Sequence, residues 1–264
     1  MLSYTLFVAC EAQAVSRYGM EVVCSNSDRL ARTATRRRLR IRFKPAIVIG
    51  NRMNIDFWHQ KWEKNEIAFH ESKPHPVLVT YFKELKLVED SRVFLPLCGK
   101  TLDIAWLLSK GYSVAGAELS KLPIEHLFIG LGLEPKISKF GNVSRYSATN
   151  IDIFVGDIFD LSNEVLGRVD AIYDRAALVA LPKEMRNRYA KHLLEITDTA
   201  EQLMISLEYD QSLMDGPPFS VNSDEVNQHY KDAYNLKLLE SISIPGGLKG
   251  ICAATENVWL LKKD

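Results

Sequence analysis

The sequence is poor in the features that would assign it to several large classes. It has four cysteines, Cys10, Cys24, Cys98 and Cys252, none in a C-x-x-C pair or at zinc-ligand spacing. This excludes a redox dithiol and a cysteine-built metal site, and reads as buried or incidental thiols in a reducing compartment. No apolar run approaches the ~18 residues that a bilayer span requires. Internal repeats and low-complexity tracts are absent. Net charge is absent too, since 33 Lys/Arg balance 33 Asp/Glu. The balance hides an asymmetry: residues 1–52 carry ten Lys/Arg against three Asp/Glu, leaving 23 against 30 in the rest. An acidic body argues against nucleic acid as the main partner. What remains is ordinary soluble composition, 47% hydrophobic and 25% charged over 264 residues, enough for one large α/β domain or two small ones.

Residues 1–52 do not read as the start of that domain. They hold a short apolar stretch, Leu6–Ala9, and a basic run, Arg36–Arg42, without periodicity. An organelle transit peptide would be Arg-rich and acid-poor, as this segment is, but richer in Ser and more amphipathic. A secretory signal would need a basic region before Leu6, and none precedes it. The favoured reading is a disordered extension or a translation start placed too far upstream, with the domain beginning at Met53.

The body is organised around Val93–Glu118. An apolar run, Val93–Leu97, feeds a turn, Cys98-Gly99-Lys100, then a helix over Thr101–Lys110 with Leu102, Ala105, Trp106 and Leu108 at helical spacing, and a second strand over Val114–Glu118. Such a unit brings backbone close to a ligand at the strand's carboxyl end. A carboxylate about 20 residues after the turn glycine is placed to accept both hydroxyls of a ribose. Gly99-Lys100-Thr101 imitates the end of a phosphate-binding P-loop, but Phe94 stands where that motif needs glycine. A dinucleotide site would want G-x-G-x-x-G, and this turn has one glycine. An adenosine ligand without phosphate, such as S-adenosylmethionine, suits the turn; a βαβ unit with a chance acidic residue is the bland alternative.

Around this unit, Trp58 and Trp62 lie four apart on one helical face, as a core stripe or as an aromatic lid over a flat or sulfonium ligand. A helix is predicted over Val77–Leu85 and another over Ser120–Leu131, stopped by Gly132. Residues 134–150 read as polar and irregular, and Ile151–Val155 as a strand. Asp157 after that strand is either a turn cap or an acceptor for an adenine amino group, with the Ile158 N–H beside it. Val169–Arg175 is the clearest strand, and it ends in Asp174 and Arg175, either a capping pair or site residues. Helices over Pro182–Ile196 and from Ser223, a strand over Leu203–Leu207, a Gly216–Phe219 loop fit to wall a pocket, and a closing hairpin over Lys237–Ile244 and Ala254–Leu261 complete the chain. His126 and His192 read as structural.

With these residues in order, residues 53–264 resemble the thiopurine S-methyltransferase family, as a bacterial-type member. The resemblance rests on Phe57–Trp62, on Phe94–Asp103, on the long run Asp170–Pro182, and on Tyr209-Asp210 with Gly216–Phe219. It implies an α/β class I methyltransferase fold: a Rossmann-like seven-stranded sheet with its last strand antiparallel, helices on both faces, and S-adenosyl-L-methionine as cofactor. It further implies Trp62, Leu97, Glu118 and Arg175 as cofactor contacts, with Trp58, Phe69, Asp157 and Ile158 lining the same pocket beside the turn glycine Gly99. Asp174 and Arg175 are candidates for substrate orientation, and no metal is expected. Lys121–Ser147 departs most from the family pattern. The implied reaction is methyl transfer to the sulfur of an aromatic or heterocyclic thiol by a cytoplasmic monomer, without nucleic-acid or membrane partners. The alternatives are a methyltransferase for sulfide, selenium or tellurium species, and a non-catalytic S-adenosylmethionine-binding protein.

Overall fold

A computed structural model of the chain describes residues 48–49, 52–53, 55–67 and 70–263. Strands β1 (Val48–Ile49) and β2 (Arg52–Met53) pair antiparallel beside the expected domain boundary. Helices α1 (Ile55–Glu63) and α2 (Pro76–Tyr81) precede β3 (Arg92–Leu95), α3 (Leu102–Ser109), β4 (Ser113–Glu118) and α4 (Lys121–Leu131). The chain continues through β5 (Lys136–Phe140), β6 (Val143–Ala148), β7 (Ile151–Val155), α5 (Asn163–Leu166), β8 (Ala171–Arg175) and α6 (Lys183–Ile196). It ends with β9 (Glu201–Tyr209), α7 (Ser223–Tyr230), β10 (Asn235–Ser243) and β11 (Ala254–Lys262).

The main sheet has the order β10-β11-β9-β8-β3-β4-β7-β6-β5. Strands β7, β4, β3, β8 and β9 are mutually parallel, and β11 enters antiparallel between β9 and β10. Those seven strands are the expected sheet, last strand antiparallel included. The sheet has nine strands rather than seven, because β5 and β6 add an antiparallel hairpin to the edge of β7. The stretch expected to be irregular is therefore a hairpin, and its polarity has a physical cause: of its residues only Val143 and Tyr146 are buried.

Period-two alternation sends successive side chains of each central strand to opposite faces, and both faces are covered. Phe94 and Ile172 face one core with Tyr189, Leu193 and Trp259. Val93, Leu95 and Tyr173 face the other with Ile104, Leu107, Ile124 and Phe128. Helix α6 thus closes one face while α2, α3 and α4 close the other.

Local chemistry sets the helix ends. Thr101 Oγ1 accepts from the Asp103 N–H at 3.3 Å to start α3, and Gly132, at φ +66°, stops α4. The α2 helix is shorter than expected and finishes as a 3-10 turn over Phe82–Leu85. Asn222, not Ser223, caps α7, its Oδ1 accepting the Glu225 N–H at 3.0 Å.

The chain leaves β3 toward β4 and β7, and later crosses to β8 and β9 on the other side. This reversal opens a crevice at the carboxyl ends of β3 and β8, where an open parallel sheet binds ligands. Leu97 and Ala176, which follow those two strands, both have left-handed backbone, φ +46° and +59°. Both turn the chain sharply out of their strands through that sparsely allowed region.

Candidate active site

The crevice is a cleft of about 610 Å³. Trp58, Lys61 and Trp62 of α1 form one wall, Leu97, Glu118 and Leu119 another. Arg175 ends β8 and Ala176, Val179 and Ala180 follow it, while Gly216–Pro218, Ile244, Leu248, Lys249 and Glu256 close the far side.

Glu118 ends β4 and is 6% exposed. Its Oε2 accepts the Gly99 N–H at 2.9 Å and its Oε1 accepts the Ser120 N–H at 2.9 Å. The Trp62 indole also hydrogen bonds to it. Burial raises this carboxyl to about 7, against the opposing pull of those N–H donors. Side chains from both neighbours of β4 crowd Gly116: a Cβ there would stand 2.7 Å from Ile153 Cδ1 of β7 and 2.9 Å from Cys98 Sγ in the turn after β3.

Arg175, at the end of β8, has a side chain only 12% exposed and pairs with Glu71. Asp103 lies on its other side, with Oδ2 4.0 Å from Nη1. His70 is nearby, and its imidazole is pushed below the usual range, first by burial and then by Lys100 and Arg175. Glu256 reaches the same region from β11; the His75 imidazole holds its carboxyl below the usual range.

The residues expected from sequence fall into groups. Trp58, Trp62, Leu97, Glu118 and Arg175 meet at the cleft. Gly99 is not a wall residue; it acts through its N–H on Glu118. Asp157 and Ile158 stand one strand beyond Glu118, outside the cleft walls. Asp157 Oδ1 accepts the Phe159 N–H at 3.0 Å, and Ile158 is 2% exposed. Phe69 lies outside the described residues.

Asp174 turns away from the cleft, so its placement does not support a role in orienting substrate. Adjacent strand residues point to opposite faces, and with Arg175 toward α3, Asp174 points into the α6 core. There its Oδ2 accepts the Tyr189 hydroxyl at 2.7 Å and its Oδ1 the Leu178 N–H at 3.2 Å. Burial raises its carboxyl to about 6. Asp174→Asn sets an amide N–H₂ against one of these donors, and we expect a loss of about 1–3 kcal/mol of stability by chemical denaturation, with cofactor affinity unchanged.

His192 is structural, its Nε2 lying 2.7 Å from the Ile158 carbonyl, and His126 is exposed. Cys98 and Cys252 are buried free thiols, while Cys10 and Cys24 lie outside the described residues. Sequence reasoning missed Glu71, Lys249 and Glu256, which reach the cleft from a loop and from the far end of the sheet. The walls they join are tied by the Phe219 N–H donating to the Val179 carbonyl at 2.6 Å and Lys249 Nζ to the Pro217 carbonyl at 3.2 Å. Among the described residues no group of three or more His, Cys, Asp or Glu is arranged to hold a metal ion, and no helix is long and apolar enough to cross a membrane.

A family model described as Thiopurine S-methyltransferase matches residues 53–264, the stretch that contains every residue of this cleft. The chain belongs to the thiopurine S-methyltransferase family. The thiopurine S-methyltransferase of Xanthobacter autotrophicus is 52% identical over 212 residues, 80% of this chain and 100% of that one. The one from Teredinibacter turnerae is 51% identical over 212 residues, covering 80% and 99%. Among solved structures, a SAM-dependent methyltransferase from Anabaena variabilis matches with TM-score 0.54 at 17% identity, over 83% of this chain and 100% of that one. A Burkholderia thailandensis N1-methyltransferase solved with S-adenosylhomocysteine matches with TM-score 0.56 at 14% identity, covering 80% and 87%. These structural likenesses establish the class I methyltransferase fold.

As a thiopurine S-methyltransferase family member the chain uses S-adenosylmethionine as methyl donor. Its residues fit that group: a strand-end carboxylate suits a ribose diol, a largely enclosed guanidinium suits a carboxylate, and indole rings suit a sulfonium. Glu118, Trp62, Leu97 and Arg175 would hold it.

Proposed function

We propose that this chain methylates the sulfur of an aromatic or heterocyclic thiol, with residues 53–264 as the active unit, acting as a monomer in the cytoplasm. One observation carries the reading: a single cleft is lined by a strand-end carboxylate, Glu118, by the Arg175 guanidinium, and by indole, proline and branched aliphatic side chains. The match of the family to residues 53–264 supports the assignment of the unit.

S-Adenosylmethionine supplies an electrophilic methyl group when bound. The protein's share is placement and drying. Glu118 and Arg175 fix two ends of the site, and alignment of this kind reaches effective molarities of ~10⁵ M or more. Trp58, Leu97, Leu119, Val179 and Pro218 exclude water, so a thiolate in the cleft loses much of its hydration shell. Heterocyclic thiols ionise near neutral pH, and the cleft is not asked for a strong general base.

The test is calorimetric titration of the full chain with S-adenosylmethionine, followed by methyl transfer to 6-mercaptopurine in the same sample. Binding with transfer is the expected result. Binding without transfer would redirect the acceptor to sulfide, selenium or tellurium species, and failure to bind would sink the reading.

A further inference from the structure

Arg175 stands between two carboxylates of opposite character. Asp103, in the first turn of α3, is 1% exposed. Its Oδ1 accepts the His75 N–H at 2.7 Å, which anchors it to the segment before α2. Its Oδ2 lies 4.0 Å from Arg175 Nη1. The buried Tyr173 hydroxyl faces the same carboxylate. Glu71 hydrogen bonds to Arg175 Nη2 from the other side, yet its side chain is 40% exposed. It also has a second partner within reach, since its Oε1 is 3.6 Å from His75 Nε2, which Glu256 approaches at 3.8 Å.

These differences decide which carboxylate can leave. A carboxylate as enclosed as Asp103 needs a counterion, and the N-terminal turn of α3 together with the His75 N–H holds it in place. It cannot move to water without dismantling that turn. Glu71 is solvated almost as well released as paired, as is usual for a half-exposed ion pair. An arriving carboxylate can therefore replace it like for like, while the guanidinium keeps its inner counterion and its direction.

We propose that Asp103 is a positioning residue, the fixed counterion that aims Arg175 into the cleft, and that Glu71 is an exchangeable one, displaced by the carboxylate of the cofactor and received by His75. The proposal rests on the reading of Arg175 as the carboxylate-binding residue. In it Glu71 acts as an internal competitor, and apparent affinity is reduced by the fraction of molecules in which Glu71 occupies the guanidinium.

The test titrates the full chain and its variants with S-adenosylmethionine and, separately, with decarboxylated S-adenosylmethionine, which lacks the anionic group. Glu71→Gln is expected to tighten S-adenosylmethionine about three- to tenfold and to leave the decarboxylated ligand unchanged. Asp103→Asn is expected to weaken S-adenosylmethionine about tenfold. Its affinity for the decarboxylated ligand, unchanged, shows that the fold is intact. Weaker S-adenosylmethionine binding in Glu71→Gln overturns the proposal, as do equal effects on both ligands in the two variants. If Asp103→Asn does not fold, the sign of the Glu71→Gln effect decides alone. Arg175→Gln separates the underlying reading from the proposal: wild-type affinity for S-adenosylmethionine there removes Arg175 from carboxylate recognition, and the exchange falls with it. A loss in Arg175→Gln without a gain in Glu71→Gln overturns the exchange alone.

Discussion

Glu118→Gln is expected to weaken S-adenosylmethionine binding by about 100-fold or more while the chain stays folded. The carboxylate is placed to accept two charge-assisted hydrogen bonds from a diol, each worth ~1.5–3 kcal/mol. Glutamine keeps the shape but offers one acceptor oxygen. It must also serve the Gly99 and Ser120 N–H groups, which now take one oxygen each. Titration calorimetry reads the loss, and wild-type affinity in this variant would remove Glu118 from the site.

The ionisation of Glu118 adds a second readout. The carboxyl is raised from 4.5 to about 7 in the folded chain, so between those values the fold holds a proton that the unfolded chain has lost. Stability therefore falls as pH rises through that window, by up to about 3 kcal/mol from this one group. Glu118→Gln should flatten that part of the stability profile. With Glu118 in the proposed role, cofactor binding is expected to run the other way: the ionised carboxylate is the better acceptor for both hydroxyls, so affinity should rise with pH toward about 7 and binding should release protons below it. An affinity independent of pH across this window would count against the role.

Glu225→Ala is expected to cost about 3–5 kcal/mol of unfolding free energy, the usual effect of stranding one member of a buried ion pair. Arg186, on α6, is 4% exposed. It meets Glu225 of α7 through two parallel contacts, Nε to Oε1 at 2.6 Å and Nη2 to Oε2 at 3.0 Å, while Nη1 donates to the Leu181 carbonyl at 3.2 Å. Removing the carboxylate leaves a guanidinium buried without its counterion. A double variant, Arg186→Met with Glu225→Leu, should recover most of the loss, because no charge then remains to be paired. Denaturant titration of the parent and the two variants decides; a single variant as stable as the parent would show the pair to be dispensable. The pair ties the turn behind Val179 and Ala180 to α7, so the single variant should also loosen one wall of the cleft.

The parts of the site written in local order were legible in the sequence. Leu97, Glu118 and Arg175 each end a strand or begin the turn after it, and a parallel sheet must open its crevice there. Asp174 misled because it shares that strand end, although alternation assigns it to the face opposite Arg175 once one of the two is placed. Asp157 and Ile158 follow β7, where Asp157 caps a turn and the Ile158 side chain is buried, while the reading of Ile158 concerned its backbone N–H. Glu256 carries no local mark of function: it lies within β11, which reaches the cleft only after threading between β9 and β10. The β5–β6 hairpin escaped notice because Val143 and Tyr146 are three apart, so β6 lacks the alternation that announces a half-buried strand.

That hairpin alters what the molecule offers to other copies of itself. Without it, β7, reading Ile-Asp-Ile-Phe-Val, would end the sheet with a row of unpaired backbone groups beside strongly β-forming side chains, a template for chain-to-chain pairing. With it, the outermost strand is β5, five residues long, with exposed Lys136 and Lys139 along it. A lysine-bearing short edge repels a second edge of its own kind. Deleting the hairpin would therefore be felt first as aggregation at rising protein concentration, before any loss of methyl transfer.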